Sequence, residues 1–234
     1  MPVSYSRVQL TDSIGYSEIL DSKLKTNMIR IQFFQPMKKD TAAKTALAFS
    51  LLSVSNAKYP SMEALAEKLD TLYGITLSSG VTKFGDFQSP GITISTIADR
   101  YALHQEPLLQ EMLNILLTCL LAPNCKDGCF TELEFQIKQK DLLDTIEAEI
   151  NEKRAYATAK ALETAFQNEP AALSCYGKKE DVEQLDPRST YEAYLQVLHH
   201  APAEIYFVGA ESDPCVKETL LAALSQIERT NIPV

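Results

Sequence analysis

The sequence predicts an α/β protein of the α+β sandwich type, in which helices pack against a mixed, largely antiparallel sheet. Strand-like segments come early, two of them flank a hairpin turn, and several apolar helical stretches precede a late strand at residues 203–209. Elements in this order are typical of helices layered on one sheet, and a hairpin requires antiparallel pairing. We find no internal repeat or flexible linker in the sequence, so we predict a single domain over residues 1–234.

The strands are predicted from alternation and from turn residues. Residues 27–36 largely alternate and are rich in branched and aromatic side chains, and a shorter strand precedes them at residues 16–20. Residues 76–84 and 87–98 flank Gly85-Asp86, a dipeptide typical of a hairpin turn. These segments and the late strand supply one sheet.

The helices are predicted from helical spacing of apolar residues and from capping residues. Asp40 or Thr41 caps a helix that reaches about Val54, and Ser61 caps a second helix that stops at Gly74. Further helices are predicted over residues 104–121, over 130–168 as one long helix or two helices broken near Asn151, from Pro187 to about Leu198, and from Asp213-Pro214 to about Glu228.

Charge and hydropathy exclude several classes of partner. The formal net charge of -9 argues against nucleic acid and gives no attraction to anionic lipid. The first residues lack a basic stretch followed by an apolar core. The longest mostly apolar run, 115–122, is far shorter than the roughly 20 residues that span a bilayer. We therefore expect a cytoplasmic protein without nucleic-acid or membrane partners.

Five cysteines do not suggest a disulfide framework, because their number is odd. Cys125 and Cys129 bracket Lys126-Asp-Gly128 in a C-x3-C arrangement, and no second Cys/His pair is close in sequence. Two reduced thiols around a turn are the simpler interpretation. The alternative is a metal site at these two thiols, and with it an enzyme of another class.

Short motifs in a fixed order give a more specific signal. An Ala/Leu-rich helix follows the 27–36 strand, and after it come Tyr59-Pro-Ser61, Leu72-Tyr-Gly74, Lys83-Phe-Gly-Asp86, Phe130, Asn151-Glu-Lys153, Tyr156-Ala157, Tyr176-Gly177 and the strand that ends at Gly209. In this order and spacing the chain resembles the pitrilysin/insulinase-type zinc peptidases, the M16 family, over nearly its whole length. It looks most like their non-catalytic bacterial members, and like the N-terminal of the two related halves that such proteins usually contain.

The resemblance identifies the positions where a zinc site is expected. In active members the Ala/Leu helix contains His-x-x-Glu-His, and a distant Glu completes the site. Counted back from Tyr59-Pro60, the motif falls near Ala46, Phe49 and Ser50, and the distant Glu falls near Thr145. None of these residues offers an imidazole, carboxylate or thiolate, which zinc requires. Asp144 and Glu147 are close enough to Thr145 to leave that alignment open.

The resemblance therefore implies a catalytically inactive domain with no metal and no cofactor. It also implies a structural or substrate-binding role beside a motif-bearing M16 subunit or a C-terminal M16-like half, in a heterodimer that holds a peptide or protein substrate. Two alternatives stay open: an active metallopeptidase or other enzyme with a non-standard site, and a plain α/β domain whose similarity is only architectural.

Three other features have simple interpretations and functional alternatives. The acidic residues Asp144, Glu147, Glu149 and Glu152 favour a solvated helix face with local salt bridges to Lys153 and Arg154, and alternatively form one wall of a peptide chamber. His199-His200 favours interaction with a helix C-terminus rather than a metal. The strand 27–36 is an interior strand by its apolar content, or, by the resemblance, an edge that accepts a peptide.

Overall fold

A curled sheet organises the molecule in the computed structural model, which describes residues 3–167 and 169–230. The strands are β1 Ser4–Thr11, β2 Ile14–Leu20, β3 Thr26–Phe33, β4 Gln35–Pro36, β5 Thr76–Phe84, β6 Phe87–Ile97, β7 Cys125–Lys126, β8 Cys129–Phe130 and β9 Ala203–Gly209. The main sheet has the order β1-β2-β9-β3-β6-β4, with β5 paired to β6. Only β2 and β9 run parallel in this sheet, and the other described pairs are antiparallel. The predicted fold class is confirmed.

Helices cover one face of the sheet. They are α1 Lys39–Leu51, α2 Met62–Thr71, α3 Leu108–Leu121, α4 Glu132–Ala148, α5 Lys153–Ala165, α6 Lys179–Glu183, α7 Pro187–His200 and α8 Pro214–Leu224. Alternate sheet residues such as Ile31, Ile94 and Phe207 point into this layer and are buried in one apolar core. Burial of that area is the main force holding helices and sheet together. In the described residues, no helix is long and apolar enough to cross a membrane.

The helix starts agree with the sequence at some positions and differ at others. Ser61, Asp186 and Asp213 accept hydrogen bonds from the first backbone N–H groups of α2, α7 and α8. The predicted cap of α1 by Asp40 or Thr41 is wrong, because the extended backbone ends at Lys38 and the helix begins at the next residue. Asp40 lies in the first turn instead, where its carboxylate still interacts favourably with the positive end of the helix dipole.

The predicted start of α3 at His104 is also wrong. The Glu106 carboxylate accepts hydrogen bonds from the Tyr73 hydroxyl at 2.9 Å and from the His104 backbone N–H at 3.0 Å. These bonds hold residues 104–106 in a turn, so α3 begins only at Leu108, after Pro107.

The other helix ends and the long helical stretch also differ from the expectation in detail. α1 ends at Leu51 and α8 at Leu224, earlier than predicted. Of the two interpretations of the 130–168 stretch, the one with two helices is confirmed. They are separated by a short 3-10 turn at Glu149–Asn151, and Asn168 lies outside the described residues.

Candidate functional site

A cleft of about 640 Å³ lies where α1, α4 and β5 meet. α1 supplies a small apolar wall, α4 supplies a charged wall, and β5 borders the opening. The lining residues are Ala46, Ser50, Ser79, Gly80, Val81, Lys138, Asp141, Leu142, Asp144, Thr145 and Tyr176.

Three of the four positions named from the resemblance meet in this cleft. Ala46 and Ser50 are one helical turn apart on α1, and Thr145 faces them from α4. Phe49 does not line the cleft. Its side chain is fully buried and packs edge-on against Phe33, with ring centroids 5.9 Å apart. The residue that the resemblance assigns to the motif's Glu is therefore part of the core.

The donor groups in the cleft do not fit a zinc ion. The Ser50 hydroxyl donates to the Leu47 carbonyl at 2.7 Å, and the Thr145 hydroxyl donates to the Asp141 carbonyl at 2.8 Å. Both hydroxyls thus donate hydrogen bonds within their own helices, and the Ala46 side chain has no atom that could bind a metal ion. No group of three or more His, Cys, Asp or Glu side chains converges anywhere in the described residues, whereas a zinc site needs such a set.

The charged wall of the cleft is made by α4. Lys138 lies 3.0 Å from the Asp141 carboxylate, and both side chains line the cleft. Asp144 is exposed, one residue before Thr145. Opposite charges that are this exposed contribute little to stability, but they set the polarity of the opening.

The sheet edge at the cleft is β5, not the strand 27–36. β3 lies between β9 and β6 and pairs with both, so the peptide-accepting edge considered for that segment is wrong. β5 pairs with β6 alone among the described residues, which leaves the other side of its nine residues without a ladder partner. Sequence reasoning missed this edge, because strand order depends on contacts distant in the chain.

The loop before α6 contributes Tyr176 to the cleft. The Lys83 ammonium, on β5, donates to the carbonyls of Ala171 and Leu173 at 2.6 and 2.7 Å, and burial lowers its pKa. Gly177 has a φ of 75°, and a Cβ there would lie 2.6 Å from the Ala43 side chain on α1. These contacts fix the loop against α1 and place Tyr176 at the cleft.

The acidic residues of α4 and of the turn after it are largely solvated, as expected, but their partners differ. Glu147 pairs with Lys179 on α6, whereas the expected salt bridges to Lys153 and Arg154 are not found in the described residues. Glu149 and Glu152 line a second cavity, of about 910 Å³, between α4, α5 and the 171–181 loop. Asp144 therefore lines the cleft, Glu149 and Glu152 line the second cavity, and Glu147 lines neither.

The other candidate ligands do not converge. Cys125 pairs with Phe130 and Cys129 with Lys126 across the β7–β8 hairpin, so the two thiols lie on opposite faces of the ribbon. His199 and His200 end α7, where their Nδ1 atoms lie 2.9 Å from the Glu228 carbonyl and 3.3 Å from the Thr230 carbonyl. Both histidines hold the chain that follows α8.

Comparison with known proteins gives one curated relative and many solved structures. No protein-family model matches the chain. A Bacillus subtilis protein named probable inactive metalloprotease YmfF is 25% identical over 208 residues, which are 89% of this chain and 49% of the relative. A conserved protein from Enterococcus faecalis superposes with a TM-score of 0.83 at 23% identity, over 97% of this chain and 52% of that one.

A third protein connects the fold to the family. A peptidase M16 inactive domain from Pseudomonas fluorescens superposes with a TM-score of 0.70 at 12% identity, over 100% of this chain and 53% of that one. The chain thus spans about half the length of the proteins that it matches. The chain thus has the fold of M16 peptidase domains, and two of the proteins to which it is similar, one in sequence and one in structure, are named inactive.

Proposed function

We propose that the chain is a catalytically inactive M16-like unit that holds an extended segment of a peptide or protein along β5 and does not cleave it. The observation on which this depends is the coincidence of two features. The free edge of β5 borders the cleft, and Ala46, Ser50 and Thr145, the residues that the resemblance assigns to zinc-ligand positions, line the same cleft.

The edge of β5 supports peptide binding by strand addition. A peptide laid beside it would pair with its free backbone groups, and alternate side chains of the peptide would point into the cleft. There they would meet the small apolar wall of Ala46 and the carboxylates of Asp141 and Asp144. The backbone pairing supplies affinity that does not depend on the peptide sequence. The two walls of the cleft determine which peptide side chains are preferred.

The chemistry of the cleft supports retention over hydrolysis. Cleavage in this family needs a metal-bound water and a Glu that activates it. Ser50 and Thr145 give their hydroxyl hydrogens to helix carbonyls, and Phe49 lies in the core. A peptide bound in this cleft would therefore dissociate without being cleaved.

The proposal includes a second M16-like unit, either a C-terminal half of the same protein or a motif-bearing subunit. The support is the length of the relatives, because this chain covers only 49% to 53% of theirs. We further propose that this assembly works in the cytoplasm, in accord with the acidic sequence.

A matched pair of variants tests the peptide site. Thr145→Trp fills the cleft from an exposed position, and Thr158→Trp places the same ring at an exposed α5 residue whose hydroxyl makes the same type of helix bond. The purified chain is incubated with a pool of random ten-residue peptides, and retained peptides are counted by mass spectrometry.

We expect Thr145→Trp to lower retention at least about fivefold and Thr158→Trp to leave it unchanged. Failure of the parent chain to retain any peptide, or equal retention by both variants, would overturn the binding site. One zinc per chain after dialysis, or cleavage of the pool, would overturn the inactive assignment.

A further inference from the structure

Strand β5 leads from the cleft into the second cavity. Ser79 and Val81 line the cleft, and Lys83 lines the cavity of about 910 Å³. The two spaces lie side by side, because Thr145 and Tyr176 line both of them. A peptide paired with the free edge of β5 would therefore extend from one space into the other.

Lys83 is the residue through which β5 contributes to the second cavity. Side chains two residues apart on a strand point to the same face, so Lys83 lies on the same side of the sheet as Ser79 and Val81. In an antiparallel pairing, the Cβ atom of the peptide residue opposite Lys83 would lie about 4.5–5.5 Å from the Lys83 Cβ atom. The chemistry of Lys83 therefore acts on one particular side chain of the peptide.

The ammonium group of Lys83 is held in place but is only partly hydrogen-bonded. It donates to the carbonyls of Ala171 and Leu173, at 2.6 and 2.7 Å. The loop that supplies these carbonyls is itself fixed, because the Gln88 side-chain amide donates to the Cys175 carbonyl at 2.6 Å. An ammonium has three N–H groups. One donor of a positioned cation therefore has no acceptor among the described residues.

Lys83 also has no carboxylate partner in the part of the chain that the structure describes. It is partly buried, and this burial lowers its pKa. The other lysines that line the cavity are all exposed to water: Lys39, Lys160, Lys178 and Lys179. Because an ion pair is stronger where water is partly excluded, a carboxylate in this cavity would gain most from Lys83.

The carboxylates that line the cavity come from elements other than β5. They belong to the 149–152 segment after α4, to α5 and to α6: Glu149, Glu152, Glu163, Glu180 and Asp181. Lys83 is the one charged residue of β5. A peptide paired with this strand would therefore meet a positive charge on the strand itself, and the complementary group is acidic.

We propose that Lys83 binds a carboxylate of the peptide held along β5, so that the chain selects peptides with an acidic group at this position. The carboxylate is that of an aspartate or glutamate side chain or that of the peptide C-terminus, since the two have the same chemistry. The remaining N–H of the ammonium would donate to it in a charge-assisted hydrogen bond. This inference rests on the peptide binding of the proposed function and adds the class of peptide.

Three pools of random ten-residue peptides distinguish the two sources of the carboxylate. All are acetylated at the N-terminus and have no acidic residue at the random positions. The first pool has glutamate at the fifth position and an amidated C-terminus. The second has glutamine there and an amidated C-terminus, and the third has glutamine there and a free C-terminus. The purified chain is incubated with each pool, and retained peptides are counted by mass spectrometry.

We expect the parent chain to retain the glutamate pool, or the pool with a free C-terminus, at least about threefold better than the amidated glutamine pool. Lys83→Met keeps most of the apolar stem and removes the ammonium, so this ratio should fall to about one. Lys83→Arg keeps the positive charge and should preserve the ratio. Lys140→Met should preserve it as well, because Lys140 is exposed on α4 and lines neither space. Circular dichroism checks that the variants fold.

The ratio between the pools separates recognition from a purely structural role. If Lys83 only holds the loop, Lys83→Met would lower retention of all three pools by the same factor, and the inference would be overturned. Equal retention of the three pools by the parent chain would also overturn it and would leave the peptide site at β5 intact. Retention of none of the pools would overturn both proposals.

A carbodiimide cross-link on the parent chain decides the matter if Lys83→Met does not fold. The reagent activates the peptide carboxylate, and the neighbouring lysine amine displaces the activating group to form an amide. We expect peptide mapping by mass spectrometry to find the preferred pool joined to Lys83. Products at only the other lysines of the cavity, or no product, would overturn the assignment of Lys83.

Discussion

The two walls of the cleft differ in how firmly the rest of the molecule fixes them. Helix α1, which forms one wall, is anchored in the core: Ala46 in the wall is only 3% exposed, and Phe49 behind it is fully buried against Phe33. The α4 wall is exposed, and Asp144 and Thr145 face solvent. The four positions named from the resemblance are therefore divided between a packed helix and an exposed one.

This difference determines what would be needed to build a metal site in the cleft. On α1, Ala46 and Phe49 are closely packed, so a metal ligand at either position would disturb the core. On α4 no packing depends on Thr145. The cost of restoring each ligand should follow burial, and the following variants measure it.

Phe49→Glu should have the largest effect. It removes a buried aromatic ring and places a carboxylate among apolar groups, so we expect a loss of at least about 4 kcal/mol in the free energy of unfolding. Urea unfolding followed by circular dichroism measures it. Phe84→Glu, at a residue 54% exposed, is the control and should cost less than about 1 kcal/mol. Equal effects would show that Phe49 is not a core residue.

Ala46→His should have the next largest effect. The imidazole must enter a site where Ala46 is 3% exposed, so overpacking should cost about 1–3 kcal/mol. Ala157→His, at an exposed α5 residue, controls for the helix propensity of histidine. Unfolding of both variants at the same urea concentration would show that α1 is not tightly packed at Ala46.

Ser50→His should cost less than about 1 kcal/mol, because the residue is half-buried at the margin of the cleft. The same unfolding measurement on Ser50→Ala separates loss of the bond to the Leu47 carbonyl from addition of the ring. A His variant much less stable than the Ala variant would place Ser50 on the packed side of the comparison.

Thr145→Glu should have the smallest effect on stability, within about 0.5 kcal/mol, because the side chain is exposed. Combined with Ala46→His and Ser50→His, it should supply three zinc ligands that line one cleft. We expect one zinc per chain by metal analysis after dialysis, with no peptidase activity because Phe49 is retained. No uptake of zinc by a folded triple variant would show that the family positions are misplaced.

The sequence predicts those parts of the fold that depend on local pattern. β3, β5, β6 and β9 were predicted because their apolar residues alternate or are continuous, and α2 because Ser61 caps it. β1 was missed, since Ser4–Thr11 is polar and almost wholly exposed. The five-residue helix α6 was missed as well, because so short a segment shows no helical period.

The family positions in the site stay predictions. Counting from Tyr59-Pro60 gives Ala46 and Ser50, and these two residues line one cleft together with Thr145. The burial of Phe49 was not predicted, because a motif position does not tell which side of the helix the core occupies. The free edge of β5 was not predicted either, since strand order is fixed by contacts between distant residues.

The free edge of β5 also has a consequence for the purified protein. Lys83 is the one charged residue of the strand Thr76–Phe84, and its ammonium is turned toward the carbonyls of Ala171 and Leu173. The edge therefore lacks the outward charge that commonly prevents strands of different molecules from pairing. At high concentration, and without an occupant, copies of this chain should associate edge to edge, so that an empty binding site becomes a nucleus for aggregation.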